Sequence, residues 1–152
     1  MYNEYAPPRQ KYETFADRMR EDEVLEVLSS LTNNFSFCKE VEFSCNDFRI
    51  YAADTKEIYA LGEIKVRNNS SQKYPDYMIS KAKLLNCLSK ADYLGVHVSL
   101  FVRFTDGLFC TKVKPDLPYP SRLAGRYDRQ DSRDMEMCVF IPIAEFEFLC
   151  PM

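Results

Sequence analysis

The sequence is poor in histidine, and its cysteines are not closely paired. Its 152 residues include one histidine and six cysteines, and no two cysteines form a C-x-x-C pair. Zinc sites and disulfide frameworks need such ligands at short, regular spacing. The scattered cysteines are therefore expected to be reduced thiols, which are typical of a cytoplasmic protein. They are Cys38, Cys45, Cys87, Cys110, Cys138 and Cys150.

Long apolar runs and an excess of positive charge are also missing. No segment approaches the roughly 20 apolar residues that a membrane span requires, and the N-terminus has no apolar signal-peptide core. The formal net charge is −3, which does not indicate a general nucleic-acid-binding protein. The segment from Glu63 to Lys83 differs, because it carries an excess of lysine and arginine over acids.

The composition indicates one folded domain over residues 1–152. Hydrophobic residues make up 46% of the chain, with eleven Phe and ten Tyr, enough to form a core. Residues 1–12 contain Pro7-Pro8 and little periodicity, so we expect an N-terminal arm there.

Apolar spacing predicts helices at 14–31 and 75–93. Thr14 is a suitable N-cap for the first helix, Pro75 suits the first turn of the second, and Gly95 suits its end. Residues 121–135 carry nearly balanced arginines and aspartates, which favours a solvated loop over a mobile loop that grips phosphates. Strands are predicted at 35–44, 47–53, 57–66, 96–104, 108–113 and 138–143, with a short last element at 144–149.

The most informative stretch, Asn46 to Arg67, reads as a β-hairpin. A three-residue loop at 55–57 would set Asp47 opposite Lys65. Since paired residues share a face, Asp47, Glu63 and Lys65 would converge. Phe48, Ile50, Ile64 and Val66 would point into a core on the other face. A two-residue loop would instead separate Asp47 from Glu63.

Two carboxylates and a lysine on one face are the groups that a metal-dependent nuclease requires. The carboxylates hold a hard divalent cation against a phosphate, and the lysine supplies a fixed positive charge beside the attacking water. An acid-x-lysine triplet by itself is more often a solvated sheet face. The aspartate on the same face favours the catalytic interpretation.

With Asp47 ahead of Glu63-Ile64-Lys65, the sequence resembles the PD-(D/E)XK nuclease superfamily. Asn46-Asp47 stands where that family often has Pro-Asp. The resemblance covers about residues 13–113 and leaves 114–152 as a C-terminal extension with a late strand. It implies an α+β (α/β) fold of the restriction-endonuclease-like type. The expected order is helix, three antiparallel strands, helix and further strands, which form a mixed central sheet flanked by helices.

The resemblance also implies roles for individual residues. Asp47, Glu63 and the Ile64 backbone carbonyl would bind one or two Mg²⁺ ions, with Mn²⁺ as a substitute, and Lys65 would complete the catalytic set. Glu21, on the first helix, would be a further metal ligand, with Glu23 and Glu26 as rivals for that role. Nucleic-acid contacts are expected from the basic segment that follows: Arg67, Lys73, Tyr77, Lys81 and Lys83.

The small size favours a structure-guided DNA endonuclease similar to the Holliday-junction resolvases, which act as symmetric dimers. A phage-encoded enzyme of this kind would work in the host cytoplasm. One alternative is a catalytically inactive binding module on the same fold, directed at nucleic acid or a partner protein. Another is a small-molecule enzyme that uses a cysteine with His97, although His97 lies in an apolar strand and is expected to pack there.

Overall fold

The computed structural model describes residues 15–41, 44–125 and 135–152 of the chain. It contains helices α1 (Phe15–Leu31) and α2 (Lys81–Leu94), and a short 3₁₀ helix at Ile143–Glu145. The strands of the described residues are β1 (Phe35–Lys39), β2 (Phe48–Ala52), β3 (Ile58–Val66), β4 (Asp76–Ser80), β5 (His97–Phe104), β6 (Gly107–Lys112), β7 (Ser121–Gly125), β8 (Met135–Pro142) and β9 (Glu147–Cys150).

A six-stranded central sheet has the order β1-β2-β3-β5-β6-β9. Strands β3 and β5 are parallel, whereas the other neighbouring pairs are antiparallel. Parallel neighbours need a crossover connection, and the chain makes it through β4 and α2. This mixed sheet with helices confirms the predicted fold class.

Strands β2 and β3 form the predicted hairpin in a different register. Phe48 lies opposite Gly62, so Asp47 is at the level of Glu63. The predicted partner of Asp47 was Lys65, two residues further along β3. The difference arises because residues 53–57 connect the strands and the pairing shifts at a β-bulge. A shift of two residues leaves each side chain on its face, so the predicted faces are confirmed.

Residues 76–80 form strand β4, and the prediction of a helix starting at Pro75 is wrong. Strand β4 pairs antiparallel with β8 in a second, three-stranded sheet of order β4-β8-β7. Helix α2 begins at Lys81, where the Ser80 hydroxyl caps it by accepting a hydrogen bond from the Lys83 backbone. Gly95 ends the helix with φ at 71°, as predicted. The buried face of α2 consists of Leu84, Cys87 and Ala91.

Alternation along β3 divides the interior into two cores. On one face, which we call the α1 face, Ile64 packs with Phe48 and with Val24 of α1. Gly62 lies on this face, where an added Cβ would come within 2.2 Å of the Phe48 ring. On the opposite α2 face, Leu61 packs with residues of β5 and α2. The site residues lie on this second face, between the sheet and α2.

Helix α1 confirms the predicted first helix, and Thr14 lies outside the described residues. Its buried positions are Val24 and Leu28, so the predicted apolar face is only partly covered. Phe15, Met19 and Leu31 are exposed.

The C-terminal part supplies strands to both sheets. Strand β9 pairs with β6 at the edge of the central sheet, and β8 is the middle strand of the second sheet. Strand β7 occupies 121–125, where a loop was predicted, so the prediction is wrong there. Arg122 of β7 lies over the Phe140 ring, whereas residues 126–134, with their arginines, lie outside the described residues.

Candidate active site

The structure brings Asp47, Glu63 and Lys65 together at the start of β2 and in the middle of β3. Glu63 is 1% exposed although it is a carboxylate. The Lys65 ammonium lies 3.3 Å from its Oε1. Asp47 precedes β2, and its Oδ2 accepts a hydrogen bond of 2.7 Å from the Ile64 backbone N–H. The two carboxylates are thus held by neighbouring strands on one face, while their catalytic roles remain predictions.

Lys83 is a second ammonium at this site and lies closer to Glu63 than Lys65 does. Its Nζ is 2.6 Å from Glu63 Oε1, and it reaches the carboxylate from the first turn of α2. About a third of its side chain is exposed. Lys83 therefore contacts the buried acid directly, and its predicted contact with nucleic acid is not tested by this arrangement.

The surroundings shift the pKa values of these groups. Burial raises the pKa of Glu63, and the charge of Asp47 adds to this effect, while Lys65 and Lys83 oppose it. For Lys65, burial favours the neutral amine, but the attraction of Glu63 and Asp47 outweighs it and raises the pKa. Lys65 is therefore a permanent cation at neutral pH, suited to stabilising negative charge rather than to accepting a proton.

The oxygen atoms of the site fit a hard divalent cation. Both Glu63 oxygens are buried and receive no well-directed hydrogen bond from the described residues, although two ammonium groups lie nearby. The Ile64 N–H points to the side where β2 has ended, and its carbonyl is directed the same way because both groups of one residue face the same neighbour. Mg²⁺ is bound by a few such oxygens together with water and substrate phosphate.

The structure does not place Glu21 with the oxygen atoms of this site. Helix α1 packs through Val24 and Leu28 on the α1 face, opposite to the face that carries Glu63. In the described part of the chain no three acidic, histidine or cysteine side chains form a metal-binding group. The structure therefore gives no support for Glu21 as a ligand, and that role remains a prediction.

A polar network holds the segment that leads into Asp47. Lys90 of α2 donates hydrogen bonds to Glu40, to Ser44 and, at 2.8 Å, to the buried Asn46 side chain. Arg49 donates a hydrogen bond of 2.8 Å to Glu40. Asn46 in turn donates to the Phe48 carbonyl. Hydrogen bonds with both α2 and β2 therefore hold Asn46, the residue before Asp47, in place.

Arg67 and Tyr77 lie at the edge of the site. The Arg67 guanidinium lies 4.7 Å from the centroid of the Tyr77 ring. Tyr77 is buried in strand β4, which gives no support to the predicted direct contact between this ring and nucleic acid. It also does not share a helix with Lys81, which opens α2. Lys73 is exposed and lies over the Tyr74 ring.

Sequence reasoning did not identify Lys83 as the partner of Glu63, or Lys90 and Glu40 as supports. The signal for the lysines was present, because Lys83, Cys87 and Lys90 follow helical spacing and share a face. Placing the helix start too early obscured that face. His97, the other candidate, lies at the start of β5 with its ring edge-on to Tyr59, which agrees with packing.

The geometry defines a class of protein. An aspartate entering one strand, a buried acid-x-lysine on the next, and an α/β core around them are the features of PD-(D/E)XK nucleases. The sequence matches the family described as "Phage putative PDDEXK endonuclease" over residues 7–149, and the chain belongs to that family. The family and the fold support a metal-dependent DNA endonuclease, a hydrolase of phosphodiester bonds.

A solved structure with a similar fold is Hjc, a Holliday junction resolvase from Archaeoglobus fulgidus. The two chains share 13% sequence identity with a TM-score of 0.53, and the similarity covers 82% of each. No curated protein matches the sequence. Neither helix of the described residues is long and apolar enough to cross a membrane.

Proposed function

We propose that Asp47, Glu63 and the Ile64 carbonyl bind Mg²⁺, with Mn²⁺ as a substitute, and that Lys65 completes the catalytic site for DNA cleavage. The observation that carries this proposal is the buried Glu63 carboxylate beside Asp47 and two lysines. A buried carboxylate is costly unless a cation compensates it. An ion held by these oxygens would supply charge that polarises the scissile phosphate and would lower the pKa of a water molecule.

The residues of the chain orient and stabilise the reacting groups. Asp47 is held in place because its Oδ2 accepts a hydrogen bond from the Ile64 N–H, and its Oδ1 would bind the ion. Lys65 stays protonated and can hydrogen-bond the attacking water and the charge that develops on the phosphate. Lys83 holds Oε1 of Glu63, which fixes the carboxylate in one orientation.

We propose branched DNA as the preferred substrate and a symmetric dimer as the active form. The similar fold of a protein described as a Holliday junction resolvase supports this choice. A four-way junction presents two equivalent strands, and a twofold dimer presents two equivalent sites. The six free cysteines agree with action in the reducing host cytoplasm.

Cleavage of a substrate panel tests the proposal. Linear duplex, single strand, flap, four-way junction and RNA are incubated with Mg²⁺, Mn²⁺ or EDTA. We expect the wild type to cut the junction with either metal and to be inactive in EDTA, and Glu63→Ala and Lys65→Ala to be inactive. Glu57→Ala is the matched control, because Glu57 is exposed just before the same strand.

Two outcomes would contradict the proposal. Unchanged cleavage by Glu63→Ala would remove the metal site from the mechanism. Inactivity of the wild type on every substrate, together with no metal binding by calorimetry, would favour an inactive binding module. Sedimentation of the protein with and without a junction measures the proposed dimer independently.

A further inference from the structure

Helix α2 contacts both chain segments that carry the candidate metal ligands. Lys83, Cys87 and Lys90 follow helical spacing and share one side of the helix. Lys83 reaches the Glu63 carboxylate of β3, with its Nζ 2.6 Å from Oε1. Lys90, further along the same side, reaches the residues that precede β2. This side of α2 therefore connects Glu63 with the segment that leads into Asp47.

The Lys90 ammonium is occupied by acceptors that come before Asp47 in the chain. Its Nζ contacts the Glu40 carboxylate, Ser44 Oγ at 3.2 Å and Asn46 Oδ1 at 2.8 Å. An ammonium has three N–H donors, so these acceptors account for all of them. Its charge is balanced by Glu40. What Lys90 contributes to the site is therefore the position of this segment.

The Asn46 side chain spans Asp47. Asn46 is 2% exposed, and its Nδ2 donates a hydrogen bond of 2.8 Å to the carbonyl of Phe48, on the other side of Asp47 in the chain. Because a lysine ammonium can only donate, Oδ1 of Asn46 faces the helix and Nδ2 faces the strand. The amide is thus fixed in one orientation, as a bridge between α2 and β2.

The backbone of Asp47 is held by both neighbouring strands. Its N–H donates a hydrogen bond of 2.9 Å to the Gly62 carbonyl, and its carbonyl accepts one of 2.9 Å from the Glu40 N–H. Its side chain accepts the hydrogen bond from Ile64 on β3. The Asn46 bridge ties this restrained backbone to α2, the helix that also holds the second carboxylate.

A small cation depends most strongly on such restraints. Mg²⁺ requires near-ideal octahedral coordination at about 2.0–2.1 Å, whereas Ca²⁺ accepts roughly six to eight oxygens at about 2.3–2.6 Å in flexible geometry. If the Asp47 carboxylate could shift with respect to Glu63, the pair would still suit Ca²⁺ but would suit Mg²⁺ less well. Groups that orient metal ligands typically contribute about 10–100-fold to metal affinity.

We propose that Asn46 and Lys90 are positioning residues that make the metal site selective for Mg²⁺ over Ca²⁺. This inference rests on the proposed function and deepens it. Lys90 holds Asn46, and Asn46 in turn holds the Asp47 carboxylate at a fixed distance from Glu63. Neither positioning residue needs to touch the ion or the DNA.

Calorimetric titration with Mg²⁺, and separately with Ca²⁺, tests the proposal without any cleavage. Asn46→Ala should weaken Mg²⁺ binding by about 10–100-fold and Ca²⁺ binding much less, so the ratio of the two affinities should fall. Lys90→Met should shift the ratio in the same direction. Lys90→Arg should restore most of it, because arginine also donates to the Asn46 amide. Asn86→Ala and Lys112→Met are the matched controls, since both residues are exposed outside this network.

A double-mutant cycle shows whether Lys90 works through Asn46. The double variant Asn46→Ala/Lys90→Met should bind Mg²⁺ no more weakly than Asn46→Ala alone, because the lysine then has no amide to hold. Additive losses would assign Lys90 an independent effect on the ion and would overturn the proposed order of contacts.

The metal dependence of cleavage gives a second readout. For Asn46→Ala, the Mg²⁺ concentration that gives half of the maximal single-turnover rate should rise, while the rate at saturating Mg²⁺ should stay close to that of the wild type. Glu63→Ala should not recover at any Mg²⁺ concentration. A purely structural role of Asn46 would lower the Tm without changing the ratio of Mg²⁺ to Ca²⁺ affinity, and that result would overturn the proposal.

The comparison remains decisive if Asn46→Ala does not fold, because Lys90 is a quarter exposed and Lys90→Met then carries the same measurement. Equal affinity ratios in the wild type and Lys90→Met would overturn the proposal and leave the metal site itself intact. Failure of the proposed function gives a different result, since the wild type would then bind neither ion and both proposals would be overturned together.

Discussion

On the α1 face of β3, Ala60 and Ile64 pack against apolar side chains of β2, β5 and α1. On the α2 face, Leu61 packs against apolar side chains of β5 and α2, but Glu63, two positions further on the same face, is equally buried and is an acid. The two faces belong to one strand and lie one residue apart. They therefore show how stability and chemistry are divided within the same element.

The α1 face stabilises the fold through packing. The α2 face also contains Glu63, whose burial is electrostatically unfavourable. A buried carboxylate loses several kcal/mol of hydration, and two partly exposed lysines offset this only in part, since the pKa of Glu63 is still raised. A divalent cation would supply the missing charge. Substitutions on the first face should thus act on unfolding, whereas substitution of Glu63 on the second face should act on cleavage.

Phe48→Ala should have the largest effect and should fall on stability. Phe48 is fully buried against Phe37 and Phe101, so its truncation should lower the free energy of unfolding by about 3–5 kcal/mol. Urea denaturation measures the change. Phe148→Ala is the control, because Phe148 is 52% exposed on the edge strand β9. A loss below about 1 kcal/mol for Phe48→Ala would contradict the division between the faces.

Glu63→Gln should act almost entirely on cleavage. The amide keeps the shape of the side chain but removes the charge that holds the cation, whose contribution of several kcal/mol corresponds to about 10³-fold in rate. Single-turnover cleavage with Mg²⁺ measures the loss, and denaturation should show a far smaller change than for Phe48→Ala. Comparable losses of stability in the two variants would show that both faces serve mainly for packing.

Lys83→Met should shift the pH dependence of cleavage. Removing this cation raises the pKa of Glu63 further, because burial and Asp47 already raise it and Lys83 opposes them. The carboxylate then becomes ionised only at higher pH, so the acidic limb of the kcat/KM profile should move upward. Activity at neutral pH should fall about 10–100-fold, as for other partners of metal ligands.

Lys83→Arg should restore most of the original profile, since it returns the charge to Glu63. A change in KM with an unmoved acidic limb would instead assign Lys83 to DNA binding alone.

Glu40→Gln should have the smallest effect and should be visible in acid. Burial would raise the pKa of Glu40, but hydrogen bonds from Lys90, Ser44 and Arg49 outweigh it and lower the pKa below the usual 4.5. A lowered folded-state pKa contributes stability that is present above pH 4.5 and is lost as the pH falls through the folded value.

The Glu40→Gln variant should therefore lose about 1 kcal/mol at pH 7 and show a flatter decline of stability below pH 4.5. Thermal unfolding across that range measures both, with Glu57→Gln as the exposed control. An identical acid decline in wild type and Glu40→Gln would show that the network around Asn46 does not stabilise the native state.

The faces of the hairpin could be predicted from sequence, but its register could not. Alternation from Phe48 to Ile50 and from Glu63 to Lys65 assigns each residue to a side of its own strand, and the two assignments agree for every register that differs by an even number of residues. The register depends on the five-residue connection, where Lys56 adopts a positive φ of 61°, and on the bulge beyond Ile50. A shift by two leaves the assignment of sides intact, which is why the grouping of the three site residues survived.

Strand β4 could not be distinguished from a helical turn by local pattern. Met78 and Ile79 stand at helical spacing from Ala82, and Pro75 suits a helix start equally well. These residues form a strand because they pair with β8, where Met78 lies opposite Phe140, which is far away in sequence. The contact between Lys83 and Glu63 depends on the same pairing, because the end of β4 determines where the first turn of α2 lies.

The parallel pairing of β3 with β5 also orders events during synthesis of the chain. The two carboxylates belong to a local hairpin, which forms quickly, whereas Lys83 reaches Glu63 only after the crossover has closed and β5 has docked on β3. Such non-local pairing is slow compared with hairpin formation. A chain that extends only as far as β3 therefore contains Asp47, Glu63 and Lys65 but lacks Lys83. The contact between Lys83 and Glu63 is therefore expected to be among the last of the site to form during folding.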